Sequence, residues 1–202
     1  MATVKGNSLS GKLGDEIHSS WHGRPYVKRR PEKVANPRTE AQQSHRTAFA
    51  EISRLSSDLK DAHLIGMHWI ALREKLNTYS VFKRLNKDKY KENGIDYPNV
   101  KVSYGNVPGA DMTSVEINEQ GVLRVTFDNN CIPKNQNDTF HLFVYCPELR
   151  KGGLARYVTR SEGVVTAVIP EEWRSYQLHC YAFFRNKKGQ TSRTIYIPIS
   201  GQ

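Results

Sequence analysis

The sequence predicts an α+β chain: an N-terminal β-hairpin and a helical hairpin, followed by an antiparallel β-sandwich. Three observations carry this prediction. Between Ala41 and Ala62 the apolar residues recur every three, four or seven positions, the period of one helix face. After Gly94 the period changes to two. From there on, short strand-like runs alternate with turn sequences such as "NEQG", "RKGG" and "RNKKGQ", the rhythm of a two-sheet sandwich. With 38% hydrophobic and 10% aromatic residues in 202, the chain can bury a real core. The change of period suggests two parts: residues 1–94, a basic arm with the hairpin and two helices, and residues 95–202, the sandwich.

Taken in order, residues 15–30, "DEIHSSWHGRPYVKRR", read as the β-hairpin. Ile17, Trp21, Tyr26 and Val27 are strand formers, and His22-Gly23 supplies the turn. Pro25 has no N–H for a ladder bond, which places the second strand at a sheet edge. Pro31 and Pro37 interrupt regular structure, and Thr39-x-x-Gln42 has the spacing of a capping box. A helix is expected from Thr39, its stripe made by Ala41, Ala48, Ile52, Leu55, Leu59 and Ala62, widened by Phe49, Leu64 and Ile65. Gly66 is the expected stop. A second helix over 67–90 carries Met67, Ile70, Ala71, Tyr79, Phe82 and Leu85 and ends before the Asn93-Gly94 turn. Strands follow at 100–104, 114–118, 122–128, 139–146, 154–159, 163–169, 176–184 and 193–199.

Several function classes lack the residues they need. The opening "GNSLSGKLG" matches a phosphate loop at Gly6, Gly11 and Lys12, but Leu13 stands where a magnesium-binding hydroxyl belongs. A hairpin pattern follows where that motif needs a helix, so the glycines are read as backbone devices in an N-terminal arm. The histidine spacings give no zinc pattern: His18 and His22 straddle a turn, and His63 and His68 fall on different helix faces. His141 and His179 lie on strands near Cys146 and Cys180 without recognised ligand spacing. Glu171 and Glu172 in "PEEW" read as solvated carboxylates, and no nucleophile motif is present. We expect no catalytic residue, no metal site and no cofactor. Three cysteines, Cys131, Cys146 and Cys180, read as free thiols, the latter two as small core hydrophobes. No run of about 18 apolar residues is present and the first residues form no secretory leader, so a cytoplasmic protein without a membrane span is expected.

Charge gives the strongest functional indication. Of the formal net charge of +10, residues 1–92 contribute +8. Arg24, Lys28, Arg29, Arg30, Lys33 and Arg38 are opposed within 24–38 only by Glu32, and they alternate with Trp21, Tyr26 and Pro31. Such a segment suits an anionic partner. The expected role is a non-enzymatic structural or interaction protein that docks onto partner subunits through its basic N-terminal region, with Trp21, Tyr26, Phe49, Ile52 and Leu55 as docking residues. The alternative is a nucleic-acid-binding protein that uses the hairpin at 24–38, its cations on phosphates and its aromatics on bases.

The stretch from Gly11 to Ala50 resembles a family of unknown function from Bacteroidota with similar length. The shared features are Trp21-His22-Gly23, the Arg30/Pro31 step, Asn36-Pro37-Arg38-Thr39, Gln43, Arg46 and Phe49. The likeness runs nearly end to end, is most specific in residues 11–49, and implies the fold and domain order but no activity. "WRSYQLHCYAFFRNKKGQTS" resembles the last hairpin of a fibronectin type III or immunoglobulin-like domain, with Tyr176 in the place of a corner tyrosine. This likeness implies an immunoglobulin-like sandwich. By analogy, a phage-like assembly fits a small chain of this kind.

Overall fold

A computed structural model describes residues 3–5, 8–32, 38–91, 94–128 and 135–199. The chain divides into two compact units, Met1–Glu40 and Ala41–Gln202. The boundary near residue 94, suggested by the change of period, lies inside the second unit, because the helices and one sheet share a core.

The first unit is an antiparallel meander of β1 (Thr3–Lys5), β2 (Ser8–Leu13), β3 (Glu16–Trp21) and β4 (Arg24–Arg29), in that spatial order. β3 and β4 are the expected hairpin. Trp21 pairs with Arg24 across His22 and Gly23, which take φ of 47° and 79°. Positive φ at both turn residues is the I′ geometry, whose twist matches that of the strands. Gly14, at φ 58°, opens the second two-residue turn between Leu13 and Glu16. β4 is an edge strand, as Pro25 requires. β1 and β2 build strands where the sequence suggested only a glycine-rich arm.

In the second unit, α1 (Glu40–Asp58), α2 (Lys60–Gly66) and α3 (His68–Glu74) form one bent helical arm. Thr39 directly precedes α1, where the capping-box spacing puts the cap. Helical hydrogen bonds cross both junctions: Leu59 N–H to Leu55 O (2.9 Å), His63 N–H to Leu59 O (3.2 Å) and Met67 N–H to His63 O (3.0 Å). Gly66 ends α2, but it does not turn the chain. A Cβ there would sit 2.4 Å from the Val102 carbonyl oxygen, so the residue is small because another backbone crosses it. The reversal comes later. Lys75 takes φ 56°, and Leu76 N–H closes on Ala71 O at 2.9 Å in a Schellman-type ending. α4 (Thr78–Asn86) then starts behind Asn77, whose side chain accepts from Ser80 N–H at 2.7 Å. The two-residue strands β5 (Tyr90–Lys91) and β6 (Gly94–Ile95) pair after it.

Seven further strands make an immunoglobulin-like sandwich. β7 (Met112–Ile117), β8 (Val122–Phe127) and β11 (Val164–Val168) form one sheet in the order β11-β8-β7. β9 (Thr139–Cys146), β10 (Lys151–Thr159), β12 (His179–Arg185) and β13 (Ile195–Pro198) form the other, in the order β10-β9-β12-β13. Alternation on β9 and β12 serves two cores. Phe140, Leu142, Val144, Cys146, Cys180, Ala182 and Phe184 pack with Leu123, Val125, Phe127 and Val165 of the three-stranded sheet. The residues between them, Phe143, Tyr145, Tyr181 and Phe183, pack with Ile52, Leu55, Leu59, Met67, Ile70, Val81 and Phe82 of the helices. The four-stranded sheet is therefore the middle of three layers, which explains why β9 and β12 read as nearly continuous apolar runs.

The eighth expected strand, 100–104, is not one. This segment forms no ladder: between backbone bonds at its ends, Val100 N–H to Tyr97 O (3.1 Å) and Tyr104 N–H to Gly66 O (3.2 Å), it is held by side chains. Buried Asn86 donates to Lys101 O (2.8 Å) and accepts from Lys101 N–H (2.7 Å), while also donating to Phe82 O (2.9 Å). Thr194 Oγ1 accepts from the N–H groups of Val102 and Ser103, both at 2.9 Å. Thr191 Oγ1 donates to Gly66 O at 2.9 Å. Val100 and Val102 thereby enter the helix-side core. Among the described residues, no helix is long and apolar enough to cross a membrane.

Candidate interaction surface

No described side chain of residues 9–32 is buried. The meander nevertheless carries Leu9, Leu13, Trp21, Tyr26 and Val27, each at least 41% exposed. Sheets of this size owe their stability to an apolar face packed against something.

Strand register sorts the side chains, because residues directly opposed in a ladder share a face. One face carries Leu13, Glu16, His18, Ser20, Pro25, Val27 and Arg29, from the pairs Leu13–Glu16, Glu16–Arg29, His18–Val27 and Ser20–Pro25. Its charges balance locally: Glu16 approaches His18 at 3.3 Å, and Arg29 approaches Glu32 at 3.6 Å. The other face carries Lys12, Ile17, Ser19, Trp21, Arg24, Tyr26 and Lys28, from Lys12–Ile17, Ile17–Lys28, Ser19–Tyr26 and Trp21–Arg24. No carboxylate stands on this second face, and no salt bridge to Lys12, Arg24 or Lys28 occurs among the described residues. Trp21 is 72% exposed, its indole held edge-on to the His22 ring at 4.8 Å.

The basic set read from the sequence is thus divided. Arg24 and Lys28 stand together with Trp21 and Tyr26, while Arg29 points to the opposite face. Arg30 follows β4, its N–H bonded to Asp15 O at 2.6 Å, and Arg38 lies just before α1. Lys33, Asn36 and Pro37 lie outside the described residues. Lys12, considered in the sequence only for a phosphate loop, joins the cationic face; strand parity is the feature that would have found it. Gly11 and Lys12 sit inside β2, paired with His18 and Ile17, and a turn follows them. Gly6 lies outside the described residues.

The helical docking residues also separate. Phe49 is 61% exposed, with the Lys83 ammonium 5.2 Å from its ring centre. Ile52 and Leu55 are 2% and 1% exposed and belong to the chain's own core, so they are removed from the docking set. The apolar stripe on α1, expected to serve docking onto another subunit, packs instead against the middle sheet of the same chain.

The second unit uses its polar groups for structure. Asp58 at the end of α1 accepts from Arg150 (Nη2 to Oδ1, 3.0 Å; Nε to Oδ2, 3.1 Å) and from the Tyr145 hydroxyl (3.1 Å), tying α1 to the four-stranded sheet. Burial, reinforced by Asp58, pushes the Tyr145 hydroxyl well above the ordinary tyrosine range. Buried His63 turns its Nε2 onto Ser56 O at 2.8 Å where α1 meets α2, and burial lowers its pKa. His141, stacked on Phe183 with Nε2 3.0 Å from Thr139 Oγ1, is lowered by burial to about 4. On β12 His179 and Cys180 are neighbours and so face opposite sides, His179 towards Tyr97 and Tyr196, Cys180 into the sandwich. Cys146 and Cys180 are free, buried, and raised in pKa by that burial; Cys131 lies outside the described residues. Glu172 pairs with Lys151 at 3.1 Å on an exposed turn. Tyr176 precedes β12, which starts at His179 and not at 176 as the expected strand 176–184 had it. It lines an open groove of about 490 Å³ with Ile117, Glu119, Arg174 and Leu178.

A family model described as "Family of unknown function (DUF6266)" matches residues 8–198. No curated protein matches the chain. Among solved structures, it is similar to the solution structures of the fn3 domain of human contactin 1, at 8% identity and a TM-score of 0.30, covering 49% of this chain and 85% of that one.

Proposed function

The chain belongs to that family of unknown function, and from the geometry of its N-terminal sheet we propose that it is a non-enzymatic interaction protein docking onto partner subunits. One observation carries the reading. The meander exposes Leu13 and Val27 on a charge-balanced face while none of its described side chains from residue 9 to 32 is buried. Covering such a face removes apolar area from water at roughly 25 cal/mol per Å². A second copy of this chain suits it, since Glu16 and Arg29 are opposed on the same face and two copies meet there without a surplus of like charge. The second unit, whose buried core residues all lie at Ile52 or beyond, supplies the stable body. A multi-subunit particle of phage-like kind is the setting that this division of labour fits.

Light scattering across a concentration series tests the proposal. The full chain is expected to rise above its 23.1 kDa monomer mass, and L13S/V27S to remain monomeric. A full chain that stays monomeric at high concentration, or a double variant that associates as strongly, overturns it.

A further inference from the structure

We infer that the opposite face of the N-terminal sheet, built from Lys12, Ile17, Trp21, Arg24, Tyr26 and Lys28, is a binding platform for single-stranded nucleic acid. The inference concerns the other side of the sheet and does not depend on subunit docking.

The first argument is charge. Three cations share one face with no carboxylate among them, and none of the three is engaged in a salt bridge among the described residues. A second copy of the chain brought against this face meets its own three positive charges, whereas a polyanion neutralises them. Lys28 and Arg24 are four residues apart on one strand, about 13 Å at 3.3 Å per residue, so they grip separate points of an extended chain and not one small anion.

The second argument is the rings. A strip made for phosphate alone has no use for an indole that is 72% exposed. Trp21 opposes Arg24 and Tyr26 opposes Ser19, which makes the two aromatics diagonal neighbours about 7–8 Å apart. Each can take one base on its face, with Arg24 and Lys28 beside them for the backbone. Stacking of this kind needs bases that are not already paired. The platform therefore selects single strands over duplex, and its aromatic term tolerates any base. An acidic protein segment satisfies the cations but leaves the rings without their matching partner.

The test uses the full chain and a fluorescein-labelled oligothymidylate of about 10 nucleotides, with the matching duplex and poly-glutamate as competitors. Binding is expected to weaken with salt at a log–log slope of about −2, from three phosphate contacts at roughly −0.7 each. W21A and Y26A are each expected to weaken oligothymidylate binding by about 10-fold or more, from stacking of roughly 1–3 kcal/mol per base. K12Q/R24Q/K28Q, which leaves both rings in place, should flatten the salt slope. L13S/V27S, on the other face, should bind as the parent does, so failure here is distinct from failure of self-association. No binding at low salt overturns the inference. So does the duplex competing as well as the single strand, which would leave phosphate contact alone, or poly-glutamate competing as well while W21A and Y26A leave affinity unchanged, which would assign the face to acidic protein.

Discussion

Asn86 replaces a strand ladder with one side chain, and its removal should be costly. The residue is 0% exposed and makes three hydrogen bonds: to Phe82 O at 2.9 Å, to Lys101 O at 2.8 Å, and from Lys101 N–H at 2.7 Å. Alanine deletes all three and frees the 97–107 segment at the point where Val100 and Val102 enter the helix-side core. At about 1 kcal/mol net per bond, N86A should destabilise the protein by about 3 kcal/mol. At roughly 2–4 °C per kcal/mol for a domain of this size, Tm falls by about 6–12 °C. Urea unfolding followed by circular dichroism should show a lower midpoint with an unchanged m-value. N99A is the control, since Asn99 is exposed and its side chain reaches Asp96 on a surface turn; it should change stability by less than about 0.5 kcal/mol. If N86A costs no more than N99A, the segment is held by packing and the hydrogen-bond account is wrong.

Two further outcomes follow from the second unit. In G105A a Cβ would lie 2.0 Å from the Thr191 carbonyl oxygen, so backbone must move; a loss of about 3 kcal/mol or more is expected by thermal melting, whereas G153A, with nothing within 4 Å, should be near neutral. Acidification should also destabilise. His63, His141 and His179 have folded pKa values below the ordinary 6.5, His141 at about 4, so from about pH 6.5 down to about pH 4 the unfolded chain binds protons that the folded one refuses. Asp138, raised by burial, opposes this below its own raised pKa. A midpoint that holds steady or rises between pH 7 and pH 5 would contradict the assignment of these imidazoles as buried and neutral.

What could be read from the sequence depended on whether the cause was local. The His22-Gly23 turn, the start of α1 directly after Thr39 and the seven sandwich strands follow from turn chemistry, capping-box spacing and strand period within a few residues. The reversal after Glu74 was missed because Lys75 adopts the left-handed conformation without a glycine; Asn77, two residues on and followed by Thr78 and Ser80, was the available cap signal. Residues 100–104 alternate like a strand, yet the partners that hold them, Asn86 and Thr194, are distant in sequence and use side chains. The candidate surface was half legible. Its residue types stood out at 21–28, but grouping by sequence proximity put Arg29 with Arg24 and left out Lys12; alternation along β4 in register with β3 corrects the first, and the register of β2 against β3 the second.

The three-layer arrangement bears on how this chain can be divided or recombined. β9 and β12 are written in two interleaved alphabets, one legible to the sandwich and one to the helices. Cutting the gene at the apparent seam near codon 95 would leave Phe143, Tyr145, Tyr181 and Phe183 as a bare aromatic stripe on an otherwise finished sandwich. Such a fragment would precipitate or recruit a substitute cover. The sandwich is therefore no portable cassette: in any fusion or shuffling event it must travel with its helices, and the dividing point that respects this shared core falls at Glu40.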